Sequence, residues 1–220
     1  MKARTHTRIK ICGITRNADA ESVAAAGADA LGLNFSHLSS RQVDIGVAAE
    51  IAVSMEDRLI RVGLFVDPKP EFVERVLGTV RLDVLQFHGG EPAALCGAFG
   101  LPYFKAHRVA GTLDMAALEA CYPDACGHLL DAWVAGQPGG TGQQFDRRFW
   151  PRDAQTALVL AGGLTPSNVE SAILQLSPYA VDVCGGVEGP AKGVKDPGAI
   201  ENFVAAVRRA DEQAGQTVSA

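Results

Sequence analysis

The sequence predicts an α/β protein of the (β/α)8-barrel class, a closed parallel sheet with outer helices. Eight short apolar segments alternate with amphipathic or alanine-rich segments along 220 residues, and this order is typical of parallel strands joined by crossover helices. Eight such units favour closure into a TIM-type barrel. The alternative, an open doubly wound sheet, usually has fewer units at this length, and no GxGxxG follows the first strand.

The strand segments are short and apolar, and several end in glycine. In order they are residues 8–13, 30–35, 59–67, 83–89, 103–109, 128–133, 157–163 and 180–186. The predicted helices between and after them cover residues 18–26, 43–54, 70–77, 91–99, 112–120, 167–176 and 199–210. Helix-start signals such as Pro70-Glu71 support these assignments.

No linker, charge block or low-complexity segment divides the chain. We therefore predict one barrel domain over residues 1–210, followed by a mobile C-terminal tail over residues 211–220.

Composition restricts the class of partner. The net charge of −5 argues against nucleic acid or an anionic membrane. Five widely spread cysteines without a CxxC pair are typical of cytosolic thiols and not of a disulfide framework or a zinc site. No segment has the length of a signal peptide core or a membrane span. The expectation is a soluble cytoplasmic protein.

In a (β/α)8 barrel the active site lies at the carboxyl ends of the strands. The polar residues that end strands one to six are Cys12, Asn34, Asp67, Gln86, His88, His107 and Asp131. Side chains alternate between inward and outward positions along each strand. The pairs that can share a face are Lys10 with Cys12, Gln86 with His88, Leu129 with Asp131, and Asp182 with Cys184.

Strands seven and eight both end in glycine pairs, Gly162-Gly163 and Gly185-Gly186. Taken singly, a glycine pair is a tight turn. Two pairs in these two loops indicate the phosphate site that barrels build there, because glycine lets backbone N–H groups approach an anion. The glycine-rich segment 132–146 lacks the GK[ST] ending of a nucleotide P-loop. It is a flexible loop, or one that closes over substrate beside Asp131.

Cys12 and Asp131 allow alternative interpretations. A free cysteine is most often a small buried hydrophobe, but a strand-end thiol near Lys10 can be a base or a nucleophile. Asp131 can cap its loop or pair with a cation. His88 and His107, each taken alone, are interpreted as structural. The residues by themselves indicate a phosphate-binding barrel with a thiol and a carboxylate at its mouth.

Motifs along nearly the whole chain resemble the phosphoribosylanthranilate isomerase family of tryptophan biosynthesis. They are KICGIT (10–15), SSRQV (39–43), VGLFVD (62–67), LQFHGGE (85–91), LLDAWVAGQPGGTGQQFD (129–146), AGGLTPSNV (161–169) and VDVCGGVE…GVKD (181–196). The resemblance implies an Amadori rearrangement of N-(5′-phosphoribosyl)anthranilate to 1-(2-carboxyphenylamino)-1-deoxyribulose 5-phosphate, the third step from chorismate, without a cofactor.

By this resemblance, Asp131 is the general acid that donates to the ring oxygen, and Cys12 is the general base at the sugar C2. Arg41 binds the anthranilate carboxylate, for which a planar guanidinium is suited. Substrate phosphate lies at Gly162, Gly163, Gly185 and Gly186. His88 lies at the rim of the site with an open role, Lys10 and Asp182 can pair, and monomer and homodimer both remain open.

Three positions depart from the family pattern. Ser40 stands where the family has proline before Arg41, Cys184-Gly185-Gly186 replace Ser-Ser-Gly, and Arg147 replaces tryptophan. Two alternative functions were considered. One is the histidine-pathway isomerase, which would require an aspartate base on strand one and a half-barrel repeat. The other is a phosphosugar-binding barrel that has lost catalysis or changed its substrate, supported by the altered strand-eight loop.

Overall fold

The computed structural model describes residues 6–132 and 145–218, with side chains to residue 215. Eight parallel strands form one closed barrel in chain order. They are β1 (Arg8–Cys12), β2 (Ala30–Asn34), β3 (Ile60–Phe65), β4 (Val84–Phe87), β5 (Tyr103–Val109), β6 (Gly127–Ala132), β7 (Ala157–Leu160) and β8 (Ala180–Val183). The predicted fold class is confirmed. Seven of the predicted strand segments contain an observed strand, and the predicted segment 128–133 overlaps β6, which begins one residue earlier.

Helices cover the outside of the barrel. They are α1 (Asn17–Ala25), α2 (Ile45–Ser54), α3 (Pro70–Leu77), α4 (Ala93–Cys96), α5 (Met115–Cys121), α6 (Val169–Leu176) and α7 (Pro197–Val218). Short 3-10 turns lie at Arg147–Phe149 and Gly185–Val187. The main apolar core lies between the sheet and these helices, and a smaller cluster around Leu129 and Val159 fills the barrel itself.

Two helices differ from the prediction. The helix predicted over 91–99 is reduced to the single turn α4, with Pro92 as its N-cap and Gly97 as its C-cap. Proline disfavours the helical conformation of the residue before it, and glycine is a poor helix former. The last helix, predicted over 199–210, runs from Pro197 to Val218 and so extends past residue 211, where the tail was predicted to begin.

The two ends of the described chain are joined by hydrogen bonds. The Asp211 carboxylate accepts from the backbone N–H and the hydroxyl of Thr7, at 2.9–3.0 Å and 2.7 Å. Arg208 donates to the Thr7 carbonyl at 3.0 Å. Residue 211 therefore belongs to the folded helix that holds the start of β1.

Most of the predicted loop 132–146 falls on residues 133–144, outside the described residues, so its assignment as a substrate-covering loop stays a prediction. Within the described ranges, no helix has the length and apolar character needed to cross a membrane.

Candidate active site

A cavity of about 700 Å³ opens at the carboxyl ends of the strands. The eight site residues named from the sequence all line it: Cys12, Arg41, His88, Asp131, Gly162, Gly163, Gly185 and Gly186. Parallel strands end at one edge of a barrel, so residues up to 174 positions apart in sequence converge there. The cavity has two opposed polar walls with different chemistry.

The first, which we call the β1–β8 wall, carries Lys10, Cys12, Asp182 and Cys184. Strands β1 and β8 pair in register, with Lys10 opposite Asp182. The Lys10 ammonium donates to the Asp182 carboxylate at 2.8 Å, and both residues are buried. The predicted pairing of these two residues is observed.

Cys12 is 5 % exposed at the end of β1. Hydrogen bonding from the Cys184 thiol lowers the pKa of Cys12 well below its ordinary value. Burial opposes this shift, whereas the positive charges of Lys10 and Lys195 add to it. The neighbourhood of Cys12 therefore favours the thiolate form.

The pKa values of two charged groups beside Cys12 are also shifted. Burial, together with the charges of Cys12 and Asp131, raises the pKa of Asp182 to about 7 in spite of the adjacent Lys10. Burial would lower the pKa of Lys10, but the negative charges of Asp182 and Cys12 raise it instead. Lys10 therefore stays charged beside the thiol.

Arg41 lies in the loop after β2 with its guanidinium turned toward the Gly185 loop. It donates from Nε and Nη2 to the two carboxylate oxygens of Glu188, the second at 2.9 Å. Lys195 donates to the same carboxylate at 3.3 Å. A guanidinium has five N–H donors, so these bonds fix its plane and leave further donors for a ligand. The Ser39 hydroxyl accepts from the Arg41 N–H at 3.1 Å, which holds this loop without the family proline.

The second wall, which we call the β4–β6 wall, carries Gln86, His88 and Asp131. His88 Nε2 lies 3.4 Å from Asp131 Oδ2, and His88 Nδ1 lies 3.1 Å from the Gln86 amide nitrogen. Across the described ranges, His88 is the basic side chain within 4 Å of the Asp131 carboxylate, and no lysine or arginine pairs with it.

Behind this wall, a buried ion pair holds the segment that carries His88. Lys105 Nζ lies 3.2 Å from the Glu91 carboxylate and donates to the Gly89 carbonyl at 2.7 Å. The Glu91 carboxylate accepts from the Gly89 N–H at 2.9–3.0 Å and from the Asp67 N–H at 2.8 Å. The backbone on the C-terminal side of His88 is therefore fixed.

At three of the four loop glycines, Gly162, Gly163 and Gly186, a side chain would be strained or would not fit. Gly162 and Gly163 have φ of +87° and +61°, in the region that favours glycine. A Cβ on Gly162 would lie 2.5 Å from the Ala132 nitrogen and 3.0 Å from Asp131 Oδ1. A Cβ on Gly186 would overlap the Leu164 carbonyl oxygen. These glycines bring the loops after β6, β7 and β8 into close contact around the cavity.

His107 lies outside the cavity, as its structural interpretation predicts. Its Nε2 bonds to His128 Nδ1 at 2.9 Å, and its ring packs against Tyr122. Burial lowers the pKa of His107 to about 3. The next residue, Arg108, lines the cavity instead, and the alternation of inward residues along β5 could have identified it.

Sequence reasoning also missed Glu91, Lys105, Glu188 and Lys195 as parts of the site. Glu91, Glu188 and Lys195 lie within the motifs that carry the family resemblance, but no role was assigned to them. Their partners lie on other loops, so their contacts depend on closure of the barrel.

The fold and the cavity define a (β/α)8-barrel enzyme whose site combines a thiol in cationic surroundings, a carboxyl group on the opposite wall and two glycine loops. Among the described residues, no group of three His, Cys, Asp or Glu side chains is arranged to hold a metal ion.

Comparisons with known proteins identify the family. The sequence model of N-(5′-phosphoribosyl)anthranilate (PRA) isomerase matches residues 9–206. An N-(5′-phosphoribosyl)anthranilate isomerase of Pseudomonas aeruginosa (strain LESB58) is 52 % identical over 207 residues, which cover 93 % of this chain and 98 % of the relative. The crystal structure of phosphoribosyl anthranilate isomerase from Thermus thermophilus superposes with a TM-score of 0.82 at 36 % identity, covering 92 % and 99 % of the two chains.

A further solved phosphoribosyl anthranilate isomerase, also 36 % identical, has a TM-score of 0.79 and the same coverage. It is described in complex with reduced 1-(o-carboxyphenylamino)-1-deoxyribulose 5-phosphate. The present chain belongs to the N-(5′-phosphoribosyl)anthranilate isomerase family, the isomerases of tryptophan biosynthesis.

Proposed function

We propose that this enzyme converts N-(5′-phosphoribosyl)anthranilate to 1-(2-carboxyphenylamino)-1-deoxyribulose 5-phosphate by an Amadori rearrangement, with Asp131 as general acid and Cys12 as general base. One observation carries the proposal. In a chain of this family, the same cavity is faced by a thiol in cationic surroundings and by a carboxyl group that pairs with no lysine or arginine among the described residues.

The first step opens the ribose ring. Asp131 donates a proton to the ring oxygen, the C1′–O bond breaks, and the lone pair of the anthranilate nitrogen forms the C=N bond of an iminium. An acid at this position must stay next to the ring oxygen while the bond breaks. His88 Nε2 lies beside the carboxyl group, 3.4 Å from Asp131 Oδ2, and makes no hydrogen bond to the described residues.

The second step removes the C2′ proton. The Cys12 thiolate accepts this proton, and the C–H electron pair forms the C1′=C2′ bond while the iminium nitrogen regains its lone pair. The resulting enolamine takes a proton at C1′ and loses the proton of the C2′ hydroxyl, which gives the ketone. A thiolate suits this step because its ordinary pKa of about 8.5 needs only a modest decrease to make it a base at neutral pH.

The two anionic groups of the substrate need cationic or N–H donors. Arg41 keeps N–H groups free of Glu188 for the anthranilate carboxylate. The loops of Gly162-Gly163 and Gly185-Gly186 suit the phosphate, because backbone N–H groups bind such oxygens where no side chain intervenes. Gly185 supplies no hydroxyl contact, so the backbone donors carry this part of the binding.

A thiolate base also requires a reduced thiol. All five cysteines are free in the structure, in agreement with a reducing compartment such as the cytoplasm.

The direct test is turnover. Phosphoribosylanthranilate is generated in situ, its loss is followed by fluorescence with wild-type protein and with Asp131→Asn, and the product is examined for a ketone by ¹³C NMR. Rapid loss with ketone formation, absent in the variant, is the expected result. A folded wild-type protein without turnover would reject the isomerase assignment in favour of a substrate-shifted or non-catalytic phosphosugar-binding barrel.

A further inference from the structure

The glycine loop after β7 carries three consecutive backbone N–H groups at the cavity. Gly162, Gly163 and Leu164 all line the cavity. Among the described residues, none of these three N–H groups has a hydrogen-bond acceptor. Successive N–H groups in such a turn make a concave site that suits an anion. The direction in which the peptide units of this loop point therefore decides how well the loop can bind a phosphate.

The carbonyl groups of the same loop are bonded to other parts of the chain. The Gly163 carbonyl accepts from the side-chain amide of Asn168 at 2.8 Å, and the Gly162 carbonyl accepts from the Phe145 N–H at 3.4 Å. The C=O and N–H of a trans peptide unit point in opposite directions. The bond to the Gly163 carbonyl therefore directs the Leu164 N–H away from Asn168, which is not among the described residues that line the cavity.

The Asn168 side chain is fixed at both of its polar atoms. Its Nδ2 donates to the Gly163 carbonyl, and its Oδ1 accepts from the Thr165 N–H, each at 2.8 Å. A carbonyl needs a donor and an N–H needs an acceptor, so the two bonds define which amide atom is which. The backbone N–H of Asn168 also donates to the Thr165 carbonyl at 3.2 Å. Asn168 thus holds the chain on both sides of Leu164.

Asn168 is the N-cap residue of α6, but its side chain makes no capping hydrogen bond. Asparagine is among the residues preferred at this position because its side chain can accept from the N–H groups of the first turn. The aspartates at the N-caps of α2 and α5, Asp44 and Asp114, do accept such bonds. At α6 the side chain is turned back to the glycine loop instead. Its contribution is therefore to the loop and not to the start of the helix.

The loop after β8 packs directly on the segment that Asn168 holds. A Cβ on Gly186 would overlap the Leu164 carbonyl oxygen and would lie 3.2 Å from the Thr165 Cα. A displacement of Leu164 would therefore also displace Gly186. The bonds of Asn168 support both glycine loops through this contact.

We propose that Asn168 is a positioning residue for the phosphate group of the substrate. Its side-chain amide holds the Gly163 carbonyl behind the loop and thereby directs the N–H groups of the loop into the cavity. The inference rests on the proposed function, in which the two glycine loops bind this phosphate. It adds a residue that touches neither the substrate nor the reacting atoms.

The test compares Asn168→Asp, Asn168→Ala and the control Ser167→Ala. Asn168→Asp keeps the size of the side chain and the acceptor for the Thr165 N–H, but it places an acceptor against the Gly163 carbonyl. Aspartate is as favourable as asparagine at an N-cap, so this variant should fold. Asn168→Ala removes both bonds without adding a charge. Ser167→Ala removes an exposed hydroxyl that bonds to Thr165 Oγ1 at 2.9 Å in the same turn.

The first measurement is binding without turnover. The Kd of inorganic phosphate is determined by ³¹P NMR line broadening, and the Kd of anthranilate, which carries no phosphate, by its fluorescence. We expect the Kd of phosphate to rise about fivefold to tenfold in Asn168→Ala, as for the loss of a hydrogen bond, and further in Asn168→Asp. The Kd of anthranilate should change less than about twofold, and Ser167→Ala should leave both values unchanged.

Turnover of phosphoribosylanthranilate is then measured on the same proteins. KM should rise in parallel with the Kd of phosphate while kcat changes less, because the lost interaction is with a part of the substrate that does not react. Circular dichroism and urea unfolding identify variants that are folded.

Three outcomes would overturn the proposal. They are a wild-type protein that binds no inorganic phosphate, an unchanged Kd of phosphate in folded Asn168→Ala, and an equal loss of phosphate and anthranilate binding, which would show a general disturbance of the barrel. Each of them leaves the isomerase assignment in place if the wild type turns over. A raised Kd of phosphate alone, with a wild type that does not isomerise the substrate, would support the role of Asn168 and reject the proposed function.

Discussion

The two polar walls of the cavity each contain a buried lysine–carboxylate pair, but the pairs face different groups. On the β1–β8 wall, Lys10 and Asp182 point into the barrel beside the Cys12 sulfur. On the β4–β6 wall, Lys105 and Glu91 lie behind the strands. Lys105 donates to the carbonyls of Phe87 and Gly89 on either side of His88, and Glu91 accepts from the Gly89 N–H. In the proposed reaction, the first pair acts on the charge of the base Cys12, whereas the second holds the backbone next to His88.

This difference follows the needs of the two proposed steps. A base must be charged before substrate arrives, and nearby cations favour the charged form of a thiol. An acid must be held in position, and Asp131 has His88 as its neighbour in place of a lysine or arginine. We therefore infer that a buried ion pair lowers the proton affinity of Cys12 on one wall, whereas the same kind of pair holds the backbone next to His88 on the other.

The largest effect is expected from the two reacting groups themselves. Cys12→Ser and Asp131→Asn should each lower kcat by about 10²–10⁴, the usual contribution of a general acid or base. Both changes keep the size of the side chain, so circular dichroism should remain that of wild type. Either variant with a near wild-type kcat would show that its wall does not take part in the chemistry.

The roles of the two ion pairs can be distinguished by replacing the lysine of each pair in turn. Lys10→Met and Lys105→Met should both lower the free energy of unfolding in urea by about 3–5 kcal/mol, because each leaves a buried carboxylate without its partner. Only Lys10→Met should raise the pH at which alkylation of Cys12 by iodoacetamide reaches half of its maximal rate, because the charge of Lys10 favours the thiolate. Equal shifts in the two variants would remove the distinction between the walls.

A matched pair of double variants controls for packing. Lys10→Met/Asp182→Leu and Lys105→Met/Glu91→Leu remove both charges, and each should unfold at a higher urea concentration than its single lysine variant. If both doubles were less stable than the singles, hydrogen bonds to the backbone would account for the loss instead of the unpaired charge.

Arg41→Ala should raise KM about tenfold with a smaller effect on kcat, since a hydrogen bond to a charged group contributes about 1.5–3 kcal/mol. Arg41→Lys is the control that keeps the charge without the planar pair of donors, and it should fall between the alanine variant and wild type. An unchanged KM in Arg41→Ala would place the anthranilate carboxylate elsewhere.

The smallest effect concerns the region behind the β4–β6 wall. Burial lowers the pKa of His107 to about 3, below the ordinary value near 6.5. The unfolded chain then binds more protons than the native one as pH falls below 6.5, so this residue makes wild type lose stability toward pH 4. His107→Gln should flatten that decline in urea unfolding, and the exposed His37→Gln should not.

The sequence was sufficient to predict the barrel and the residues that line its mouth. Cys12, His88 and Asp131 could be found because strand period and fold class decide which residues end a strand and face inward. For Cys12 and Asp131 alternation and position were enough, whereas His88 and Arg41 were assigned to the site through the family resemblance. The same rule applied one residue later on β5 would have replaced His107 with Arg108.

The partners of the site residues could not be predicted in the same way. Glu188 meets Arg41 across 147 positions of sequence, and Lys105 reaches Gly89 from the neighbouring strand. These contacts depend on how the loops fold over the rim. The short length of α4 has a local cause instead, since Pro92 and Gly97 flank the helix.

The bonds between Thr7 and Asp211 also have a use in protein engineering. They lie at the amino end of β1, whereas the cavity lies beyond its carboxyl end at Cys12. A second domain joined to either end of the folded barrel would therefore be attached on the face opposite the cavity. Such a fusion would leave substrate entry open, provided that the linker preserves the hydrogen bonds of Thr7 and Arg208.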